Sequence, residues 1–407
     1  MGTVVLGEKL TIEKFIEIAV FHSEVGFSQE YRERVEKSRG IIEACVEKEK
    51  AVYGTTTGFG ALVSQFITKD EAELLQKNII LTHSVSVGAP LAEEEVRAVM
   101  LMVLQSLGRG VSGVRMEVLE RYRDFLNKNL IPYVPGEGSV GYLCVEAHIA
   151  AVLIGEGKAW YQGELLSAEE ALKKAGMEPL TLSYKEGLAL INGTTSPTAL
   201  AALAVYRLTQ AAETADVVAA MSLEGLKGQL RAFDSHVTAC RPQTELEETA
   251  EKLKSYLMDS EVVKKWEGSH LQDPLSLRCI PQLHGAAKRI LKDAWEVVSC
   301  EINSCGDNPV VYGSEDEPDI YSNGNPDASY VGMEMDAACI AAANLAKMSE
   351  RRNARFLDEN LSGLPSFLVK NPGLNSGLMI PQYAQAGLLN TCLLYTSPSP
   401  RDSTSGR

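Results

Sequence analysis

The chain has 407 residues, 45% of them hydrophobic, and contains no run of about 18 purely apolar residues, so it can bury a core and is not expected to cross a bilayer. Its 39 Lys and Arg against 54 Asp and Glu give a formal charge of −15 without a basic stripe, which argues against nucleic acid as a partner. The eight cysteines are scattered, with no Cys-x-x-Cys pair and no nearby His at ligand spacing, so no structural metal is expected.

Met1–Lys9 has no basic region leading into an apolar segment, so no secretory signal and a cytoplasmic location are expected. Through residue 50, apolar positions three and four apart (Ile12, Phe15, Ile16, Ala19; Val35, Ile41, Ile42) predict surface helices with one buried stripe. Tyr53-Gly54-Thr55-Thr56-Thr57-Gly58-Phe59-Gly60 breaks that pattern. It reads as an ordinary loop, or as one that brings backbone close to a small ligand with a phenol able to move a proton. A phosphate loop is excluded, because no Gly-Lys-Ser/Thr follows.

From Lys69 to Asn129 the pattern is helical, interrupted by Leu81–Pro90, where His83 stands among small residues. A hydrogen-bonded structural histidine and a ligand or base both fit it. Pro132 and Pro135 then lead into Gly138-Ser139-Val140-Gly141, a tight turn, followed by an apolar helix ending at Gly155-Glu156-Gly157. Lys185–Thr195 precedes a segment from Ser196 to Leu230 so rich in Ala, Leu, Val and Met that it should lie in a bundle core or between subunits. At its head Asn192 offers two donors and an acceptor, for a ligand or for helix capping.

Arg278 closes Gln272-Asp273-Pro274-Leu275-Ser276-Leu277-Arg278 among apolar neighbours, and a guanidinium there needs an anion, either a structural Asp or Glu or a bound carboxylate. Further helices are predicted through Ala286–Val298 and Ala337–Phe356, separated by a Gly/Asp/Asn/Pro-rich loop from Tyr312 to Asn325. After Cys392 the composition changes abruptly. Residues 393–407 look like translated sequencing-adapter read-through and predict no structure.

Taken in order and spacing, Tyr53–Gly60, Asn78–Ser84, Gly138–Gly141, Leu153–Gly157, Lys185–Thr194, Gln272–Arg278, Asp307-Asn308-Pro309 and Gly373–Gly377 resemble the histidine and aromatic amino acid ammonia-lyase family, its histidine-specific branch most of all. The resemblance spans roughly residues 3–391. It implies a mainly α fold: one lyase-like domain over 1–392, with a loop-rich active-site region to about 185 and a bundle of long helices over 186–392. It also implies a homotetramer, or a hetero-oligomer with a paralogue, acting on a small L-amino acid. Elimination of ammonia from L-histidine to give urocanate is the reaction implied. By resemblance Tyr53 is the base that takes the β-proton, Asn192 holds the electrophile's oxygen, Arg278 clamps the substrate carboxylate and His83 contacts an imidazole side chain.

The resemblance fails at one place. Family members form a methylidene-imidazolone electrophile from an Ala-Ser-Gly triad after Gly-Ser-Val-Gly, whereas here Gly141 runs into Tyr142-Leu143-Cys144-Val145-Glu146-Ala147-His148. The triad is missing, so no such group is expected. Leu275 also stands for a family tyrosine and Pro326 for a phenylalanine, and the family's Ser-Glu-Asn-Lys segment is not reached. A catalytically silent paralogue that binds an amino acid or co-assembles with an active lyase is the alternative expectation.

Overall fold

In a computed structural model, residues 2–48, 50, 52, 54, 57 and 71–396 are described, which leaves Tyr53 outside the described residues. The fold is mainly α, as the resemblance implies. In chain order the elements begin with β1 (Thr3–Leu6), α1 (Ile12–Ala19), β2 (Glu24–Phe27), α2 (Gln29–Glu47), α3 (Ala72–His83), β3 (Val87–Pro90), α4 (Glu93–Leu107) and α5 (Met116–Lys128). There follow β4 (Ile131–Pro132), β5 (Pro135–Glu137), α6 (Cys144–Leu153), β6 (Lys158–Tyr161), β7 (Glu164–Ser167), α7 (Ala168–Lys174), α8 (Glu186–Ile191) and α9 (Thr195–Gly225). The remainder comprises α10 (Ser235–Thr238), α11 (Thr244–Leu257), α12 (Glu261–Trp266), α13 (Leu275–Arg278), α14 (Ile280–Glu301), β8 (Val310–Gly313), β9 (Pro318–Tyr321), α15 (Ser329–Leu357), α16 (Glu359–Ser362) and α17 (Met379–Thr396).

These elements form two units, Met1–Ala204 with Val297–Gly332, and Val205–Glu296 with Met333–Arg407. The boundary between the units falls within α9, and Val297–Gly332 belongs with the first unit. Among the contacts that tie this segment to the first unit, Asp307 takes the Lys185 ammonium and the Asn192 amide, and Asn303 bonds Leu10. The tail expectation also shifts: α17 continues through Thr396, four residues past Cys392, while 397–407 lie outside the described residues.

In the first unit the sheets are small. β1 and β2 pair in parallel, while β3–β5, β4–β6–β7 and β8–β9 pair antiparallel. Helices start where the sequence supplies caps: Thr11 accepts from the Lys14 N–H, Ser28 from the Tyr31 N–H, and Ser167 forms a capping box with Glu170. Helix α4 is the spine, buried continuously from Val96 to Leu107. Its Arg97, only 1% exposed, donates to the carbonyls of Ile18, Ala19 and Leu126 and to Asn129 Oδ1. One guanidinium thus satisfies the carboxyl-terminal carbonyls of α1 and α5, and burial lowers its pKa to about 10.

In the second unit the Ala-rich face of α9 packs Ala219, Ala220 and Leu223 against Leu253 of α11 and Ile280 of α14, and Ala212 meets Leu291 and Ala338. Small side chains let helices approach closely, which is why alanine dominates there. The stretch Glu186–Gly225 is apolar and long enough to span a membrane by composition, but 83% of that window is buried inside the protein. It serves as core.

Candidate active site

The predicted turn opens the site. Gly138 and Gly141 take φ values of +98° and +97°, and Ser139 Oγ receives the Gly141 N–H and donates to the Tyr142 carbonyl. Leu143 then sits at φ +77°, ψ −62°, and the Cys144 N–H reaches back to the Tyr142 carbonyl at 3.1 Å. That is a γ-turn of the strained kind, costing a side-chain-bearing residue about 1–3 kcal/mol. The Leu143 N–H, bonded to the Ile191 carbonyl at 3.2 Å, ties the turn to the end of α8.

Behind the turn, Glu146 of α6 is fully buried. Its Oε1 accepts from Thr195 Oγ1 at 2.7 Å and from the Ser196 N–H at 2.8 Å, so it caps α9 from another helix. Among the described residues, its second oxygen and the nearby Tyr122 hydroxyl are buried without a hydrogen-bond partner. Burial raises the Glu146 pKa, against the lowering pull of Thr195 and Ser196. A group with a raised folded pKa stabilises the fold below its ordinary value of 4.5 and loses that contribution as pH rises through the folded value. Glu146→Gln should therefore flatten the alkaline limb of stability against pH; urea midpoints from pH 4 to 8 that run parallel to the wild type would contradict this.

Asn192 follows directly. Its amide donates to Asp307 Oδ1 at 3.1 Å and to the Asn308 carbonyl at 2.9 Å, so both hydrogens are engaged inside the chain and Oδ1 is the atom left for other contacts. Its side chain does not cap α9, a role that Glu146 fills, while its backbone N–H closes α8 on the Leu188 carbonyl. Asp307 is a hub: it also takes the Lys185 ammonium at 2.6 Å and the Asn308 N–H at 2.8 Å, and neither Lys185 nor Asp307 is exposed. Reaching it requires backbone contact between Gly193 and Gly306, where a Cβ on Gly306 would come within 2.8 Å of the Thr194 nitrogen.

His83, at the end of α3, donates from Nδ1 to the Ile79 carbonyl at 2.8 Å, an assignment that leaves Nε2 as an acceptor. The segment after it is pinned by His148, whose Nε2 accepts the Ser86 N–H at 3.1 Å. Tyr53 lies outside the described residues, but its neighbour Gly54 is anchored: buried Gln76 donates to the Gly54 carbonyl and accepts from the N–H groups of Gly187 and Leu188. In the first unit His83 and Asn192 thus flank elements tied to one another through α3, α6 and α8.

Arg278 belongs to the second unit, at the end of α13, half-buried. Its guanidinium contacts Gln272 Oε1, and among the described residues no carboxylate lies within ion-pairing distance. Among the described residues, the structural Asp or Glu that the sequence allowed is not found beside it.

Residues 10–406 match the family profile described as aromatic amino acid lyase. The chain belongs to that family. It is 41% identical to the histidine ammonia-lyase of Caldanaerobacter subterraneus subsp. tengcongensis over 98% of this chain and 79% of that protein, and 41% identical to that of Alkaliphilus metalliredigens over 98% and 78%. Among solved structures it is similar to the phenylalanine aminomutase of Pantoea agglomerans, with a TM-score of 0.92 and 33% identity over 98% of this chain and 81% of that one. The histidine ammonia-lyase of Trypanosoma cruzi gives 0.89 and 33% over 98% and 75%.

Within this lyase family, the resemblance places the precursor of a self-formed electrophile directly after Gly138–Gly141. Between Gly141 and the start of α6 at Cys144 stand only Tyr142 and Leu143, and their backbone is committed to the γ-turn and to Ile191. At this turn Tyr142 and Leu143 do not supply the Ala-Ser-Gly precursor that the group needs.

Proposed function

We propose that this lyase-family chain acts on a small L-amino acid, with elimination of ammonia from L-histidine to urocanate as its reaction. The observation that carries the reading is the Arg278 guanidinium, half-buried and without a carboxylate partner among the described residues, which suits a substrate carboxylate. His83, with Nε2 left as an acceptor, suits contact with the protonated nitrogen of an imidazole ring. Tyr53 is assigned the β-proton and Asn192 the contact to the reacting centre, both by family resemblance.

A second reading is favoured by the turn at Tyr142 and Leu143, which replaces the electrophile's precursor: a silent paralogue that binds an amino acid or co-assembles with an active lyase. One experiment separates the two. The full chain is incubated with L-histidine, L-tyrosine or L-phenylalanine and scanned for the ultraviolet absorbance of unsaturated acid products. Urocanate accumulation is expected from L-histidine; its absence at every substrate level, with binding of L-histidine that Arg278→Ala weakens, establishes the silent reading. Inhibition of any activity by borohydride or cyanide would reveal an electrophile built from other residues.

We assign a homotetramer, or a hetero-oligomer with a paralogue, on the exposed apolar side chains of the long helices, including Met221 at 66% and Met333 at 72% exposure. Light scattering after gel filtration should return about four times the 44.2 kDa chain mass. A soluble, cytoplasmic location agrees with eight free cysteines, since thiols stay reduced in that compartment.

A further inference from the structure

The second unit contains a cleft of about 450 Å³ that no step above uses. Its walls include Lys227, Trp266, His270, Gln272, Asp273 and Arg355. The charges there do not cancel. Asp273, nearly buried, is spent on the Gln229 N–H at 2.8 Å and on His270 Nε2 at 2.9 Å. Neither Lys227 nor Arg355 has a carboxylate within ion-pairing distance among the described residues. In a chain with a net charge of −15, two half-buried cations left facing one cleft call for a negative ligand.

Lys227 is also held in an unfavourable backbone conformation. It lies just past the end of α9 at φ +57°, a left-handed position that glycine takes freely and lysine does not. That placement sets the ammonium 4.8 Å from the centre of the Trp266 ring, beside Gly363. A cation over an aromatic face is oriented but not neutralised, so its charge remains available. Arg355 adds a planar fork suited to two oxygens of one tetrahedral anion.

We propose that this cleft is a binding site for a small phosphate-type dianion, distinct from the Arg278 carboxylate site. Two positive groups of different shape, one point-like and one forked, complement a dianionic oxyanion better than a monocarboxylate. Gln272 stands between the two sites, lining the cleft while its Oε1 accepts from Arg278.

Trp266 supplies the readout. The full chain is titrated with inorganic phosphate at fixed ionic strength, and tryptophan fluorescence is followed, with potassium chloride and acetate as parallel arms. A saturable change with phosphate alone is expected as the ammonium leaves the ring for the anion. Lys227→Gly should weaken the response at least tenfold while holding or raising the melting temperature, because glycine relaxes the left-handed backbone. Arg355→Gln should weaken it similarly, whereas Arg278→Gln should leave it intact. An equal response to chloride, or an unaltered one in Lys227→Gly, overturns the site; an equal response to acetate overturns the dianion assignment; loss in Arg278→Gln makes the cleft part of the amino acid site. None of these outcomes depends on L-histidine binding, so the cleft and the proposed function stand or fall separately.

Discussion

Replacing Asp307 by alanine should lower the stability of the chain by about 3–5 kcal/mol, read as a fall in the urea midpoint followed by far-ultraviolet circular dichroism. The size follows from what the carboxylate leaves behind. Lys185 is fully buried, its ammonium is bonded to Asp307 at 2.6 Å, and its backbone is held at φ +70°. Without Asp307 that charge has no counterion, and an unpaired buried charge costs far more than the lost pair contributed. The pair is therefore tested best by removing both charges. Lys185→Met with Asp307→Asn should recover most of the loss, because an apolar stem fills the lysine's space and the amide still accepts from Asn192 or Asn308. A loss under about 1 kcal/mol in Asp307→Ala would show that Lys185 escapes to solvent or gives up its proton, and the hub would then not organise the site.

That hub marks the limit of what the sequence discloses. The helices were legible from periodicity, and the alanine run of α9 reads as core, whereas the caps at Thr11 and Ser28 came only with the structure. The turn at Gly138–Gly141 was legible from its glycines. Lys185 and Asp307 are 122 positions apart and Asn192 and Asp307 are 115 apart, and a single sequence carries no signal that joins such positions. Hence the pairing of the Asp307 segment with Lys185 and Asn192 in the first unit was not legible.

Glu146 was missed for a different reason, because a signal existed. It is the one Asp, Glu, Lys or Arg between Tyr142 and Ile154, and a carboxyl group inside so apolar a helix has to find donors. The donors are the hydroxyl of Thr195 and the N–H of Ser196, where Asn192 had seemed the natural cap. Reading Asn192 as either ligand holder or cap left out the third possibility, a side chain fixed by a distant aspartate.

Arg278→Ala should weaken L-histidine binding by about 2 kcal/mol, roughly thirtyfold, measured by calorimetry on the full chain. The estimate takes the guanidinium as a half-buried partner of a carboxylate, where truncation removes a charge-assisted pair and leaves the ligand's charge under-compensated. Arg278→Lys should recover only part, since an ammonium keeps the charge but loses the fork. Stability is the control. Arg278 contacts Gln272 and no carboxylate among the described residues, so the alanine variant should unfold within about 0.5 kcal/mol of the wild type. Gln272→Ala gives the opposite sign: it removes the group that occupies the guanidinium in the free protein, and L-histidine should then bind as tightly or more tightly. If instead Arg278→Ala binds L-histidine unchanged while unfolding far more easily, the arginine is a structural residue and the carboxylate is held elsewhere.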